Sequence, residues 1–231
     1  MKNYRHIFFD LDHTLWDFDK NSSVTLVELY HSYQFANLNL FSEVDFVNKF
    51  HEINKHMWSL YNVGKIDKKE IRENRFRRIL IALGCNYLQI PEDIADVYLL
   101  ECPKKKHVMP FTFEVLNHLK QKYKLHIITN GFNDVQAIKL ESSNLTSYFD
   151  QVITSESIGC KKPDKRIFEH AIISAGAITE ESIMIGDNLD TDILGAREFS
   201  MDQVYYNPSK SKHDHQVTFE ISCLTELMEL L

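Results

Sequence analysis

Five short apolar runs, each too brief for a helix, constrain the fold of this 231-residue chain most tightly. They are residues 6–10, Leu125-His126-Ile127-Ile128-Thr129, Gln151-Val152-Ile153-Thr154, Ser182-Ile183-Met184-Ile185-Gly186 and Gln203-Val204-Tyr205-Tyr206. Runs this short and this apolar read as strands buried on both faces, the pattern of a parallel sheet. Helical segments alternate with the last four: Phe111 to Lys122, Asn133 to Ser142 and Pro163 to Ala175. The βαβ rhythm predicts an α/β fold, a Rossmann-like parallel sheet with helices on both faces.

Residues 17–104 contain no convincing strand and are expected to form an inserted helical cap domain, leaving 1–16 and 105–231 as the α/β core. Ser42 with Asp45 makes a capping-box start, and Phe46, Phe50, Ile53, Met57 and Leu60 then form an apolar stripe ending near Gly64. Asp67 with Glu70 repeats the start, and Ile71, Phe76, Ile79, Leu80 and Leu83 run on to a stop at Gly84. Residues 224–231 read as a short amphipathic helix packed on the sheet.

Composition narrows the partners. The chain has 26 basic and 33 acidic residues, a net charge of -7 and no Lys/Arg block long enough to form a nucleic-acid footprint, which argues against long polyanions as partners. The four cysteines form no C-x-x-C pair and read as reduced thiols. No run reaches the ~18 apolar residues of a membrane span. A cytoplasmic protein without nucleic-acid or membrane partners is expected, as a monomer or small homo-oligomer.

The chemistry lies where the strands end. Asp10-Leu11-Asp12-His13-Thr14 follows Ile7-Phe8-Phe9, and side chains two apart on an extended strand face the same way. Two such carboxylates repel unless a cation or a shared proton relieves them. Thr129-Asn130-Gly131 offers a hydroxyl and backbone amides at the C-terminal edge, where open α/β sheets bind ligands, although Thr is also an ordinary strand residue or cap. In Gly159-Cys160-Lys161-Lys162-Pro163-Asp164, Pro163 suits a first helical turn and puts Lys162 just before it. A lysine there calls for a nearby anion, while paired lysines are also common on solvated surfaces. Gly186-Asp187-Asn188-Leu189-Asp190-Thr191-Asp192 carries three carboxylates, an oxygen-rich set that suits Mg²⁺. Asp187 is the metal candidate, Asp190 reads as a helix cap, and Asp192 orients the site through water or another ligand.

These four motifs, in this order, resemble the haloacid dehalogenase superfamily of phosphohydrolases, and the insertion resembles that superfamily's type 1 helical cap. The resemblance implies that Asp10 is the nucleophile that forms an aspartyl-phosphate and Asp12 the general acid and base. It also implies Mg²⁺ held by Asp10, Asp187 and the Asp12 backbone carbonyl, and phosphate held by Thr129, the Asn130 amide and Lys162. An acid at position 12 disfavours dehalogenation.

A closer likeness is to the pyrimidine 5'-nucleotidase branch. It rests on Phe8-Phe9-Asp10 with Trp16, Phe18 and Asp19, on Thr129-Asn130-Gly131-Phe132 with Gln136 and Leu140, and on Tyr148-Phe149-Asp150 leading to Ser155-Glu156 and Gly159. In the cap Asn54, Trp58, Tyr61, Gly64, Ile66, Arg75 and Phe76 fit the same branch. Trp58 and Tyr61 offer a stacking surface for a base, or core packing, and Asn54 and Arg75 offer polar contacts. The expected substrate is a small phosphorylated metabolite, a nucleoside monophosphate. Phosphoglycolate or a sugar phosphate is the alternative, and a non-catalytic phosphate-binding regulator a further one.

Overall fold

The structure, a computed structural model, describes residues 3–231. In chain order, β1 (His6–Phe9) precedes the helices α1 (Phe18–Ser32), α2 (Glu43–Asn62), α3 (Lys68–Ala82) and α4 (Ile94–Glu101). Next come α5 (Thr112–Leu119), β2 (Lys124–Thr129), α6 (Asn133–Ser142), β3 (Gln151–Thr154), α7 (Ser155–Ile158) and α8 (Lys165–Ala175). The chain closes with β4 (Ser182–Gly186), α9 (Leu194–Glu198), β5 (Asp202–Tyr206), β6 (Phe219–Ile221) and α10 (Leu227–Leu230). Two compact units result: residues up to Asp17 together with Lys106–Leu231, and Phe18–Lys105.

The first unit is built on a six-stranded sheet of order β3-β2-β1-β4-β5-β6, parallel throughout. β1 lies in the middle, with Phe9 opposite Ile127 of β2 on one side and Ile185 of β4 on the other. The chain runs outward from β1 through β2 to β3, then crosses to β4 on the far side of β1. That reversal opens a crevice beyond the C-terminal ends of β1 and β4, the place where such sheets bind ligands. Every residue of β1 is buried, as expected for a central parallel strand. Phe8, Ile128, Ile153, Phe168 and Met184 join in the core beneath this edge, and burying each large side chain contributes roughly 1.5–3 kcal/mol.

Several elements depart from sequence expectation. The helix expected from Pro163 begins at Lys165, because the Asp164 carboxylate accepts from the Arg166 amide at 3.0 Å and caps it there. Pro163 and Lys162 therefore lie in the preceding loop. α5 begins at Thr112 because Phe111 is left-handed, φ 66°. The C-terminal segment, expected as one helix, is a 3₁₀ turn, Leu224–Glu226, followed by the single turn α10, and it packs against α5. β6 has only three residues among polar neighbours, too short for alternation to announce it.

The second unit is helical, and no strand occurs among its described residues. Ser42 caps α2 in a reciprocal box: the Asp45 amide donates to Ser42 Oγ at 3.2 Å, and the Ser42 amide to Asp45 Oδ2 at 2.9 Å. Asp67 caps α3 by accepting from the Glu70 amide at 2.8 Å. Phe46, Phe50, Met57, Ile71, Phe76, Ile79 and Leu80 face inward, joined by Leu26, Leu29 and Tyr30 of α1 and by Ile94 and Tyr98 of α4. Neither α1 nor α4 was anticipated as a separate helix. Among the described residues no helix is long and apolar enough to cross a membrane.

Candidate active site

β1 ends at Phe9, and the backbone amide of Asp10 still donates to Ile185 O of β4 at 2.9 Å, so Asp10 leaves the sheet at the crevice. The chain then turns sharply: Trp16 N donates to Leu11 O at 2.8 Å and His13 is left-handed, φ 62°. Asp12 is consequently not a strand residue. The two carboxylates, expected to converge from one extended segment, instead have separate sets of partners.

Asp10 belongs to a carboxylate cluster. One oxygen from each of Asp10, Asp187 and Asp192 can be chosen so that all three lie within 4.8 Å of one another. Asp187 follows β4 directly and accepts from Thr14 Oγ1 at 3.2 Å. Asp192 comes from a π-helical turn, Leu189–Ile193, and is 1% exposed. Its Oδ2 accepts from the Asn188 amide at 3.1 Å and its Oδ1 from Thr191 Oγ1 at 3.2 Å. Asp192, expected to orient the site through water or another ligand, brings its carboxylate into the same cluster. Asn188 rather than Asp190 caps the turn, accepting from the amides of Asp190 and Thr191 at 3.0 and 3.1 Å.

Lys162 enters this cluster, 1% exposed, with Nζ 2.6 Å from Asp10 Oδ1 and 2.7 Å from Asp192 Oδ1. Its ammonium also donates to Ile128 O at 2.6 Å. Asn130 fixes the lysine's backbone on both sides, donating Nδ2 to Lys162 O at 3.0 Å and accepting from the Lys162 amide at 2.8 Å. The anions that a lysine near a helix start was expected to need are these two aspartates.

Electrostatics follow from crowding. Burial pushes the Asp10 carboxyl up to about 8; Lys162 opposes the rise, while Asp192 and Asp187 add to it. Burial and then the Asp192 charge raise Asp187 to about 7. Burial alone would lower the Lys162 ammonium, but Asp10 and Asp192 outweigh it and hold it above the ordinary lysine value. Three carboxylates against one ammonium leave two negative charges in excess when all are ionised. An all-oxygen donor set with that excess fits a hard divalent cation such as Mg²⁺. Of the four expected metal residues, Asp10, Asp187 and Asp192 bring their carboxylates together, whereas Asp12, expected to contribute only its backbone carbonyl, turns its carboxylate elsewhere.

The Asp12 carboxylate is held from α6. Lys139 Nζ lies 2.6 Å from Oδ1, and Gln136 Nε2 donates to Oδ2 at 2.9 Å and to Thr129 Oγ1 at 2.7 Å. Thr129 Oγ1 also accepts from the Gly131 amide at 3.1 Å. Burial would raise the Asp12 carboxyl, but the Lys139 ammonium and the Gln136 amide outweigh it and bring it below the usual carboxylate range. Lys139 escaped sequence reasoning, because a single lysine on a helix reads as solvent-facing. Its spacing of three from Gln136 was the available signal.

In the helical unit Trp58 and Tyr61 are half-buried neighbours on α2, ring centroids 5.3 Å apart and edge to face at 81°. Asn54 and Arg75 are buried and bonded to each other, with Arg75 Nη1 donating to Asn54 Oδ1 at 2.9 Å. The Arg75 guanidinium lies 5.0 Å from the Phe50 ring and 4.7 Å from the Tyr98 ring. One of the polar contacts this pair can make is thus between the two residues themselves.

Comparison with known proteins agrees with this architecture. A family model described as haloacid dehalogenase-like hydrolase matches residues 4–199. The chain is 30% identical to the pyrimidine 5'-nucleotidase PynA of Streptococcus pneumoniae over 232 residues, covering 99% of this chain and 95% of that protein. It is also 30% identical to the pyrimidine 5'-nucleotidase YjjG of Escherichia coli over 228 residues, covering 97% and 96%. The crystal structure of the HAD-hydrolase YfnB of Bacillus subtilis, bound to magnesium, superposes with a TM-score of 0.87 at 26% identity and covers 99% of each chain. The chain belongs to the haloacid dehalogenase-like hydrolase family.

Proposed function

We propose that this protein is a Mg²⁺-dependent phosphatase that hydrolyses nucleoside 5'-monophosphates, with pyrimidine nucleotides preferred, through an aspartyl-phosphate on Asp10. The observation that carries the reading is the buried cluster in which Asp10 meets Asp187, Asp192 and Lys162 at the switch point of the sheet. The nucleotide preference rests on the two nucleotidase relatives matched over nearly the whole chain.

Asp10 attacks phosphorus, an Asp10 O–P bond forms and the bond from phosphorus to the ester oxygen breaks, the established manner of a carboxylate nucleophile. Asp12, ionised at rest beside Lys139, first takes up a proton from solvent as substrate binds and then gives it to the departing alkoxide. It then takes one from the water that attacks the acyl phosphate, releasing phosphate and restoring Asp10. Thr129, the Asn130 amide and Lys162 bind the phosphoryl oxygens, where positioning and charge stabilisation supply most of the acceleration. Asp10, Asp187, Asp192 and the Asp12 carbonyl would hold Mg²⁺, which when bound neutralises the crowded carboxylates. The unit from Phe18 to Lys105 serves as the cap, with Trp58 and Tyr61 the surface offered to a base.

The test is phosphate release by the full-length chain with Mg²⁺ from UMP, dUMP, dTMP, purine monophosphates, phosphoglycolate and sugar phosphates, ranked by kcat/KM. The pyrimidine nucleotides are expected to lead. A sugar phosphate or phosphoglycolate preferred over every nucleotide refutes the substrate assignment, and full activity of Asp10→Asn refutes the nucleophile.

A further inference from the structure

We propose that Lys139, together with Gln136, is the positioning residue that aims the Asp12 carboxylate at the leaving group, a reading that rests on the proton-carrying role of Asp12 above. Both oxygens of that carboxylate are occupied from one face of α6: Oδ1 by Lys139 Nζ at 2.6 Å and Oδ2 by Gln136 Nε2 at 2.9 Å. Contacts at both oxygens fix the rotation of the carboxylate plane as well as its place. Asp12 needs such support, because it lies in an irregular turn past the end of β1, where no strand ladder holds it.

Lys139 is suited to the task by its own burial. It is 5% exposed, and its ammonium lies 4.5 Å from the centroid of the Trp16 ring. Trp16 is itself fully buried and belongs to the same turn, with Trp16 O accepting from the His13 amide at 2.9 Å. A lysine on a flexible, solvated stem would hold nothing in place, whereas this one is seated against a fully buried ring. Gln136 shares its amide between Asp12 Oδ2 and Thr129 Oγ1, at 2.9 and 2.7 Å. One side chain thereby joins the group that moves the proton to the hydroxyl that seats the phosphate. The geometry makes α6 the element that keeps proton delivery in register with phosphorus.

The experiment compares Lys139→Met, Lys139→Arg, Asp12→Asn and the double variant Lys139→Met/Asp12→Asn, all in the full chain with Mg²⁺. Each is assayed on UMP, whose alkoxide leaves poorly without a proton, and on p-nitrophenyl phosphate, whose phenolate needs little help. Misplacing a general acid costs up to about 10²-fold, so kcat of Lys139→Met on UMP is expected to fall by that order with KM little changed. On p-nitrophenyl phosphate the fall should be about tenfold or less. Lys139→Arg should recover most of the loss, and the double variant should be no slower than Asp12→Asn alone, because two groups acting as one unit are not additive. Equal losses on both esters, an additive double variant, or wild-type kcat on UMP each overturn the proposal. A melting temperature lowered in Lys139→Met, with both esters equally affected, assigns Lys139 to structure and overturns it too. If Asp12→Asn itself treats the two esters alike, the proton-carrying reading fails and takes this one with it. If Asp12→Asn discriminates and Lys139→Met does not, only the positioning role falls.

Discussion

Replacing Gly186 by alanine adds one methyl group at the end of β4, and the structure states what it meets. An ideal Cβ at Gly186 would lie 2.2 Å from Asp192 Oδ2, 2.6 Å from its Cγ and 2.7 Å from its Cβ. Real Cβ contacts are not found below 3.0 Å, so the carboxylate must retreat by about 0.8 Å. It cannot do so freely, because Lys162 holds Oδ1 at 2.7 Å and the Asn188 amide holds Oδ2 at 3.1 Å. Alanine would gain roughly 0.5–1 kcal/mol over glycine in a strand through lower unfolded-state freedom. Overpacking costs about 1–3 kcal/mol, and a weakened buried ion pair adds to that, so the loss wins. A net destabilisation of about 1–3 kcal/mol lowers the melting temperature by roughly 2–12 °C in a chain of this size. Calorimetry and phosphate-release kinetics on the same preparation would measure both effects, with kcat falling because Asp192 and Lys162 both face Asp10. Wild-type melting and wild-type kcat would refute the reasoning, since they would mean that Asp192 does not occupy the space glycine leaves.

Lys162→Met leaves the three carboxylates of the cluster without their ammonium, and breaking a buried ion pair from one side costs about 3–5 kcal/mol. In chelator, denaturant melts should show that loss, Mg²⁺ should narrow it, and equal stability of variant and wild type would contradict the burial argument. His126 on β2 is 1% exposed, with Nε2 3.0 Å from His6 Nδ1, and burial lowers it from 6.5 to about 4. The unfolded chain therefore binds the proton first, so His126 stabilises the fold above pH 6.5 and that contribution is lost as pH falls from 6.5 toward 4. The acid limb of the melting-temperature profile should flatten in His126→Gln; an unchanged slope would assign it to other groups. Asn54→Ala strands the buried Arg75 Nη1 and should cost about 1–3 kcal/mol by thermal melting; a neutral result would show that Arg75 finds another acceptor.

Much of the fold was legible because its signals are local. Ile7-Phe8-Phe9 and Ser182 to Gly186 could hardly be anything but buried strands, and Ser42 and Asp67 announced the starts of α2 and α3 through side chains bonding three residues ahead. Sequence reasoning failed where a distant contact overrode the local pattern. Pro163 looked like a first helical turn until Asp164 proved to be the cap, and the three-residue β6 exists only because β5 offers it a ladder.

The site divides in the same way. By itself the sequence determined which residue types stand at the strand ends, Asp10, Thr129 and Asp187, because a parallel sheet delivers the end of each strand to one edge, and Asp12 and Lys162 lie in the loops that follow. The sequence could not determine which carboxylate shares a cation with which. Only the tertiary structure decided that Asp192 joins Asp10 and Asp187 around Lys162, and that Asp12 turns instead to Lys139 and Gln136. The physical reason is that a buried charge takes the orientation of whatever opposite charge the fold brings within about 3 Å, and that partner lies more than a hundred residues away for Asp12 and for Asp10.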